Sequence, residues 1–100
     1  MTKMFNPAHP GEVLKEYIPN DMTIGQVAKT LAVSRLTLSK ILNARSGISA
    51  TMAIRLATWL GTTPDYWLNM QMQWELAQAK KERLPKIKPL NRSMIHAKHL

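Results

Sequence analysis

Eight residues in one short stretch carry side chains suited to contacting a nucleic acid: Ser34, Arg35, Leu36, Thr37, Ser39, Lys40, Asn43 and Arg45. Arg35 and Lys40 are the central pair. A guanidinium can fork onto a guanine edge, and either cation can bind phosphate. Ser34, Ser39 and Asn43 add short donors and an amide for phosphate or base contacts. Thr37 lies at the edge of the same face. Leu36 offers apolar surface to a thymine methyl, and Arg45, in the loop beyond, is placed for a phosphate. Each residue also has an ordinary role to weigh: a solvated charged face for Arg35 and Lys40, an incidental exposed side chain for Leu36, an N-cap for Ser34. Ser34 can hold both roles, because a helix N-terminus itself attracts anions.

Two short helices must position these residues, and GQVAKTLAVSRLTLSKILN, residues 25–43, supplies them. Thr23 is a good N-cap, and Gln26 completes a capping box. Val27, Ala28 and Leu31 form one apolar stripe. The stripe breaks at Ala32-Val33-Ser34. Ser34 caps a second helix, whose Leu38, Ile41 and Leu42 turn inward. Helices this short cannot each bury a face alone. They must pack crosswise, with Val33 in the corner and the candidate residues on the outer side of the second helix, the arrangement a DNA-reading helix needs.

Residues 23–43 resemble a helix-turn-helix of the phage-repressor type: Val27, Ala28, Leu31, Val33, Ser34, Leu38 and Ile41 match that family's spacing of core residues. Ala32 stands where the turn usually has glycine. In a left-handed conformation an alanine costs roughly 1–2 kcal/mol, so the turn either carries that cost or is less left-handed. The resemblance extends over about residues 5–78. His9-Pro10-Gly11-Glu12, Gly47-Ile48-Ser49, Ala53-Ile54-Arg55-Leu56-Ala57, Gly61-Thr62-Thr63-Pro64 and Tyr66-Trp67-Leu68-Asn69-Met70-Gln71 together make a pattern similar to the HigA family of antitoxins, also known as virulence-associated protein I. It implies an all-α, five-helix lambda-repressor-like domain that acts as a sequence-specific DNA-binding repressor on a palindromic operator. It further implies a homodimer, an autoregulated HigBA-type toxin–antitoxin operon, a RelE-like HigB ribonuclease toxin as partner, and no cofactor.

At 100 residues, the chain has room for one domain and a modest core, which oligomerisation commonly supplements. It contains no cysteine, no long apolar run and no charge-led apolar N-terminus, so thiolate chemistry and disulfides are excluded and a cytoplasmic, non-membrane protein is expected. The net charge of +8 is uneven. Residues 80–100 hold seven Lys or Arg and one Asp or Glu, against seven and five in residues 1–79. The division is therefore a domain over 1–79 and a basic, flexible tail over 80–100. Combined with the helix-turn-helix, the tail's charge suggests phosphate contact.

Three further helices complete the domain. The first is expected from about Gly11 to Ile18, with Val13, Leu14, Tyr17 and Ile18 inward. The fourth follows the Ser49 cap and carries Met52, Ala53, Leu56, Ala57 and Leu60 on one face, with Gly61 just past its end. A loop with its turn residue at Gly47 joins it to the reading helix. Thr63-Pro64-Asp65 opens a fifth helix that runs to about Ala79 or Lys81. On this helix Trp67, Met70 and Trp74 form one apolar stripe and Leu68, Met72 and Leu76 another, with Gln71, Glu75 and Gln78 between them. One stripe can fill the core. The other implies an interface, and Leu68, Met72 and Leu76 are the expected dimer contacts because the tryptophans are needed inside.

Nothing in the chain makes a catalytic or metal constellation. His9 stands alone beside Pro10 and reads as structural. His96 and His99 are three apart but have no carboxylate or cysteine near them, and no Ser-His-Asp set, phosphate loop or H-E-x-x-H occurs. No enzyme and no metal site are expected. The function classes left are a repressor that is also an antitoxin, a stand-alone helix-turn-helix regulator without a toxin, and an interaction module that has lost DNA binding. The intact Arg35 and Lys40 speak against the last.

Overall fold

The computed structural model describes residues 6–90. Five helices follow in order: α1 Pro10–Tyr17, α2 Ile24–Leu31, α3 Arg35–Leu42, α4 Ala50–Leu60 and α5 Pro64–Ala79. No strand occurs among the described residues. None of the described helices is long and apolar enough to cross a membrane.

Every helix begins on a side-chain cap. Thr23, Ser34, Ser49 and Thr63 each accept the backbone N–H three residues on, and His9 accepts that of Gly11. These bonds satisfy amides that the helix itself leaves without an acceptor. At α2 the capping box is complete, with the Thr23 N–H donating to Gln26 Oε1 at 2.8 Å and the Gln26 N–H to Thr23 Oγ1 at 3.1 Å.

The helix ends are less ordinary. Ala32 sits in the left-handed region (φ 59°, ψ 42°), so the turn of the motif carries the alanine cost and is not less left-handed. The Ala32 and Val33 amides close back on the Lys29 and Ala28 carbonyls, the pairing that ends a helix through a left-handed residue. The same pattern recurs after α3, where Ala44 has φ 57° and the Ala44 and Arg45 amides bond to the Ile41 and Lys40 carbonyls. The chain therefore turns on Ala44, and not on Gly47 as expected. Gly47 is small for a different reason. A β-carbon there would lie 2.5 Å from the Gln71 side-chain nitrogen.

Leu14, Val27, Leu31, Leu38, Ile41, Met52, Leu56 and Trp67 make the core. In it α2 packs on α3 and α4, α1 on α3 and α5, and α4 on α5. α1 and α3 approach so closely that a β-carbon at Gly11 would collide with the Ile41 carbonyl. Tyr17 departs from its expected inward position. It stays at the rim, with its hydroxyl 3.0 Å from that of Tyr66 and its ring edge-on to Trp67, which keeps a phenol's polar end wet.

α5 turns the expected tryptophan stripe inward and adds one residue to the buried face. Trp67 is fully buried, and Gln71, placed between the stripes by sequence, lies on the buried face beside it, 7% exposed. Leu68 and Met70 flank this face, half-buried against the core. Beyond α5, residues 83–90 form neither helix nor strand, and every side chain from Lys80 to Leu90 is exposed. His96 and His99 fall outside the described residues.

Candidate nucleic-acid interface

α3 divides cleanly into two faces. Leu38, Ile41 and Leu42 are buried, which turns Arg35, Leu36, Thr37 and Lys40 outward. Leu36 is 65% exposed, a large apolar side chain left in water beside two cations. At the start of the helix the Ser34 and Thr37 hydroxyls are bonded to each other at 2.9 Å, and Ser34 Oγ also accepts the Thr37 N–H at 3.0 Å. Ser34 is thus an N-cap, and its hydroxyl hydrogen already points at Thr37. At the far end, Asn43 folds its amide back onto the helix. Nδ2 donates to the Ser39 carbonyl at 2.9 Å and reaches Ser39 Oγ at 3.3 Å, which leaves the amide oxygen as the free polar atom.

The fold brings Leu36, Ser39, Lys40, Asn43 and Arg45 around one surface depression. Ser34, Arg35 and Thr37 lie outside it, toward the N-terminal end of α3. The eight candidate residues, all exposed but for the half-buried Ser39, run from the α3 N-cap to the loop after it. Between Asp21 and Asp65 the chain contains no acidic residue at all, against five cations: Lys29, Arg35, Lys40, Arg45 and Arg55. The acids cluster on α1, the turn after it and α5. This segregation gives α2–α4 a positive field without help from the tail.

One of the five cations has a structural task. Arg55, on α4, donates from Nη1 to the carbonyls of Leu31 (2.9 Å) and Ala32 (3.3 Å), closing the C-terminus of α2 at the left-handed turn. A cation here also opposes the negative end of the α2 dipole. The sequence held one sign of this role: Arg55 is the sole charge in an otherwise uncharged helix. Two other residues bind the reading unit to the rest of the domain. His9 is buried, caps α1 through Nδ1 at 2.9 Å and rests edge-on against Trp74 with ring centroids 4.8 Å apart. Burial pushes its pKa below the usual 6.5, against the opposing pull of Glu12 and the Ser46 backbone. Gln71 holds the Ile48 N–H at 2.8 Å through Oε1.

Of the three residues expected at a dimer interface, Met72 and Leu76 are each 52% exposed, whereas Leu68 is half-buried against its own core. Leu76 lies in a groove with Asn6, Pro7, Gln73, Ala77, Lys80 and Lys81. No cluster of three or more metal-ligating side chains occurs among the described residues.

Comparison with known proteins agrees with this geometry. A helix-turn-helix family model matches residues 14–67. The chain is 36% identical to antitoxin HigA-1 of Vibrio cholerae, across 84% of each protein. Its fold is similar to that of an addiction module antidote protein of the HigA family from Coxiella burnetii (37% identity, TM-score 0.71), covering 82% of this chain and all of that one. It is also similar to the Pseudomonas aeruginosa antitoxin HigA solved with the higBA promoter (38% identity, TM-score 0.69), covering 74% of this chain and 83% of that one. With a helix-turn-helix model over more than half of its length and HigA relatives at 36–37% identity over more than four-fifths of it, the chain belongs to the HigA family of helix-turn-helix antitoxins.

Proposed function

We propose that this protein is a sequence-specific DNA-binding repressor, not an enzyme, and that it is the antitoxin of a HigBA-type module whose operon it represses. The observation that carries this reading is the outer strip of α3, exposed and basic, on a segment with no acidic residue from 22 to 64. The similarity to a HigA solved with the higBA promoter supports DNA binding, and the helix-turn-helix geometry directs α3 to the major groove. Arg35 and Lys40 supply the principal base and phosphate contacts. Leu36, Ser39 and the Asn43 amide oxygen line the groove side, and Ser34, Thr37 and Arg45 meet the backbone at either end. The protein acts as a homodimer on a palindromic site in the cytoplasm, and its protein partner is a RelE-like ribonuclease toxin. A stand-alone regulator with the same reading helix is the second reading, and only the toxin separates the two.

Footprinting on the DNA upstream of the chain's own gene tests the repressor. Two protected half-sites about one helical turn apart, roughly 34–36 Å or a multiple of it, are expected. One asymmetric half-site bound by a monomer contradicts the dimer. Pull-down of the native protein from its own cells tests the toxin; a small ribonuclease should co-purify, and its absence favours the stand-alone regulator.

A further inference from the structure

Gln71 is a buried amide on the core face of α5, beside Trp67. A polar side chain there is tolerated only with its hydrogen bonds made, and both ends are occupied. Oε1 accepts the Ile48 N–H at 2.8 Å, and Nε2 donates to Glu75 Oε2 at 2.7 Å. The backbone passes directly over this amide, because any β-carbon at Gly47 would lie 2.5–2.7 Å from its three terminal atoms. At the other end, the Arg45 and Ser46 amides both bond to the Lys40 carbonyl, at 2.7 and 3.3 Å. The loop from Arg45 to the Ser49 cap is thus fixed at its start by α3 and near its end by α5. An apolar residue of similar volume would fill the core equally well. What it would not do is hold the Ile48 N–H.

We propose that Gln71 is a positioning residue for DNA binding: from the core face of α5 it anchors the loop backbone at Gly47 and Ile48, and so holds Arg45 against the DNA backbone. This rests on the reading of Arg45 as a phosphate contact. Glu75 completes the device by fixing the orientation of the amide. α5 also carries the exposed Met72 and Leu76, so the helix that presents an apolar stripe outward grips the end of the reading unit inward.

Operator affinity against salt concentration, for Gln71→Met, Arg45→Ala and the double variant, tests the proposal. Loss of one phosphate contact should weaken binding about threefold to tenfold and lower the salt slope by about one. Gln71→Met, with helix content retained by circular dichroism, should reproduce both effects, and the double variant should bind no worse than Arg45→Ala alone. If Arg45→Ala weakens binding and Gln71→Met leaves affinity and slope unchanged, the anchor is wrong and the phosphate contact stands. Losses that add in full also overturn it, since Gln71 would then act elsewhere. If Arg45→Ala binds like the parent, contact and anchor fall together. Should Gln71→Met not fold, Glu75→Ala frees the amide without altering the core, and the same comparison decides with a smaller expected loss, about twofold to threefold.

Discussion

At the scale of single residues, the two left-handed alanines stand out because they bracket the reading helix. Ala32 and Ala44 each hold a conformation that a β-carbon opposes, and each ends a helix with the amide pairing that glycine ordinarily serves. Ala32→Gly and Ala44→Gly should therefore each stabilise the fold by about 1 kcal/mol, or roughly 4–8 °C in Tm, as thermal unfolding can measure. His9 gives a pH dependence. Its Nδ1 accepts the Gly11 N–H, and a protonated ring could only donate there. Burial accordingly holds its pKa below the usual 6.5, and the unfolded chain takes up the proton first. Stability from this source is complete above about pH 6.5 and falls as the pH drops below it. Urea midpoints between pH 7.5 and 5 should show the decline, and His9→Asn, which keeps an N-cap acceptor without the titration, should flatten it. On the outer strip, Arg35→Ala and Lys40→Ala should leave the fold intact. A lost base contact should cost about 1–3 kcal/mol and relax preference at one position; a lost phosphate contact should weaken all sequences alike. Two variants that both bind like the parent would remove α3 from the groove.

At the scale of elements, what the sequence disclosed follows from the reach of each interaction. Four of the five helix starts are legible, because a Ser or Thr cap and its amide lie three residues apart; the fifth, His9, is not a residue type that announces a cap. The inward faces of α2, α3 and α4 were legible because a stripe repeats every turn. Helix ends were harder: nothing in the letters marks Ala44 as left-handed, and Gly47 drew attention for its flexibility when its task is to leave room for Gln71. The Trp67 stripe of α5 is legible in the same way, but the burial of Gln71 beside it is not. A glutamine goes inside only when a distant backbone amide awaits it, and Ile48 is 23 residues away. Arg55 likewise caps carbonyls of α2 from the next helix but one. The packing of Leu68 against the core changes the interface prediction. Leu68 is engaged at home, so the free stripe is Met72 and Leu76. Met72→Asp with Leu76→Asp should give a folded monomer with poor operator affinity, because each half-site alone binds weakly. Sedimentation and circular dichroism decide the matter; a folded dimer would place the interface elsewhere on the molecule.

At the scale of the whole molecule, charge is distributed in three blocks. The acids of the domain lie on α1, the turn after it and α5, the reading unit is free of them, and the segment after α5 is strongly basic. The domain thus has one positive side of its own, and the segment after α5 adds a second source of positive charge. Leu84, Ile87 and Leu90 are exposed and too sparse to bury a core of their own. This composition suits non-specific attraction to phosphate more than sequence reading, which needs fixed donors against base edges. Residues 84–100 include Lys86, Lys88, Arg92 and Lys98. Removing them should lower DNA affinity at low salt and reduce the salt slope by at most about 3.6, at about 0.9 per neutralised phosphate. The order of preference among operator variants should change little, because the strip on α3 is untouched. Titrations of the full and shortened chains at several salt concentrations read both effects. If the shortened chain keeps its DNA affinity and salt slope but no longer captures the toxin proposed above, these cations serve that partner, and the positive field on DNA belongs to α2–α4 alone.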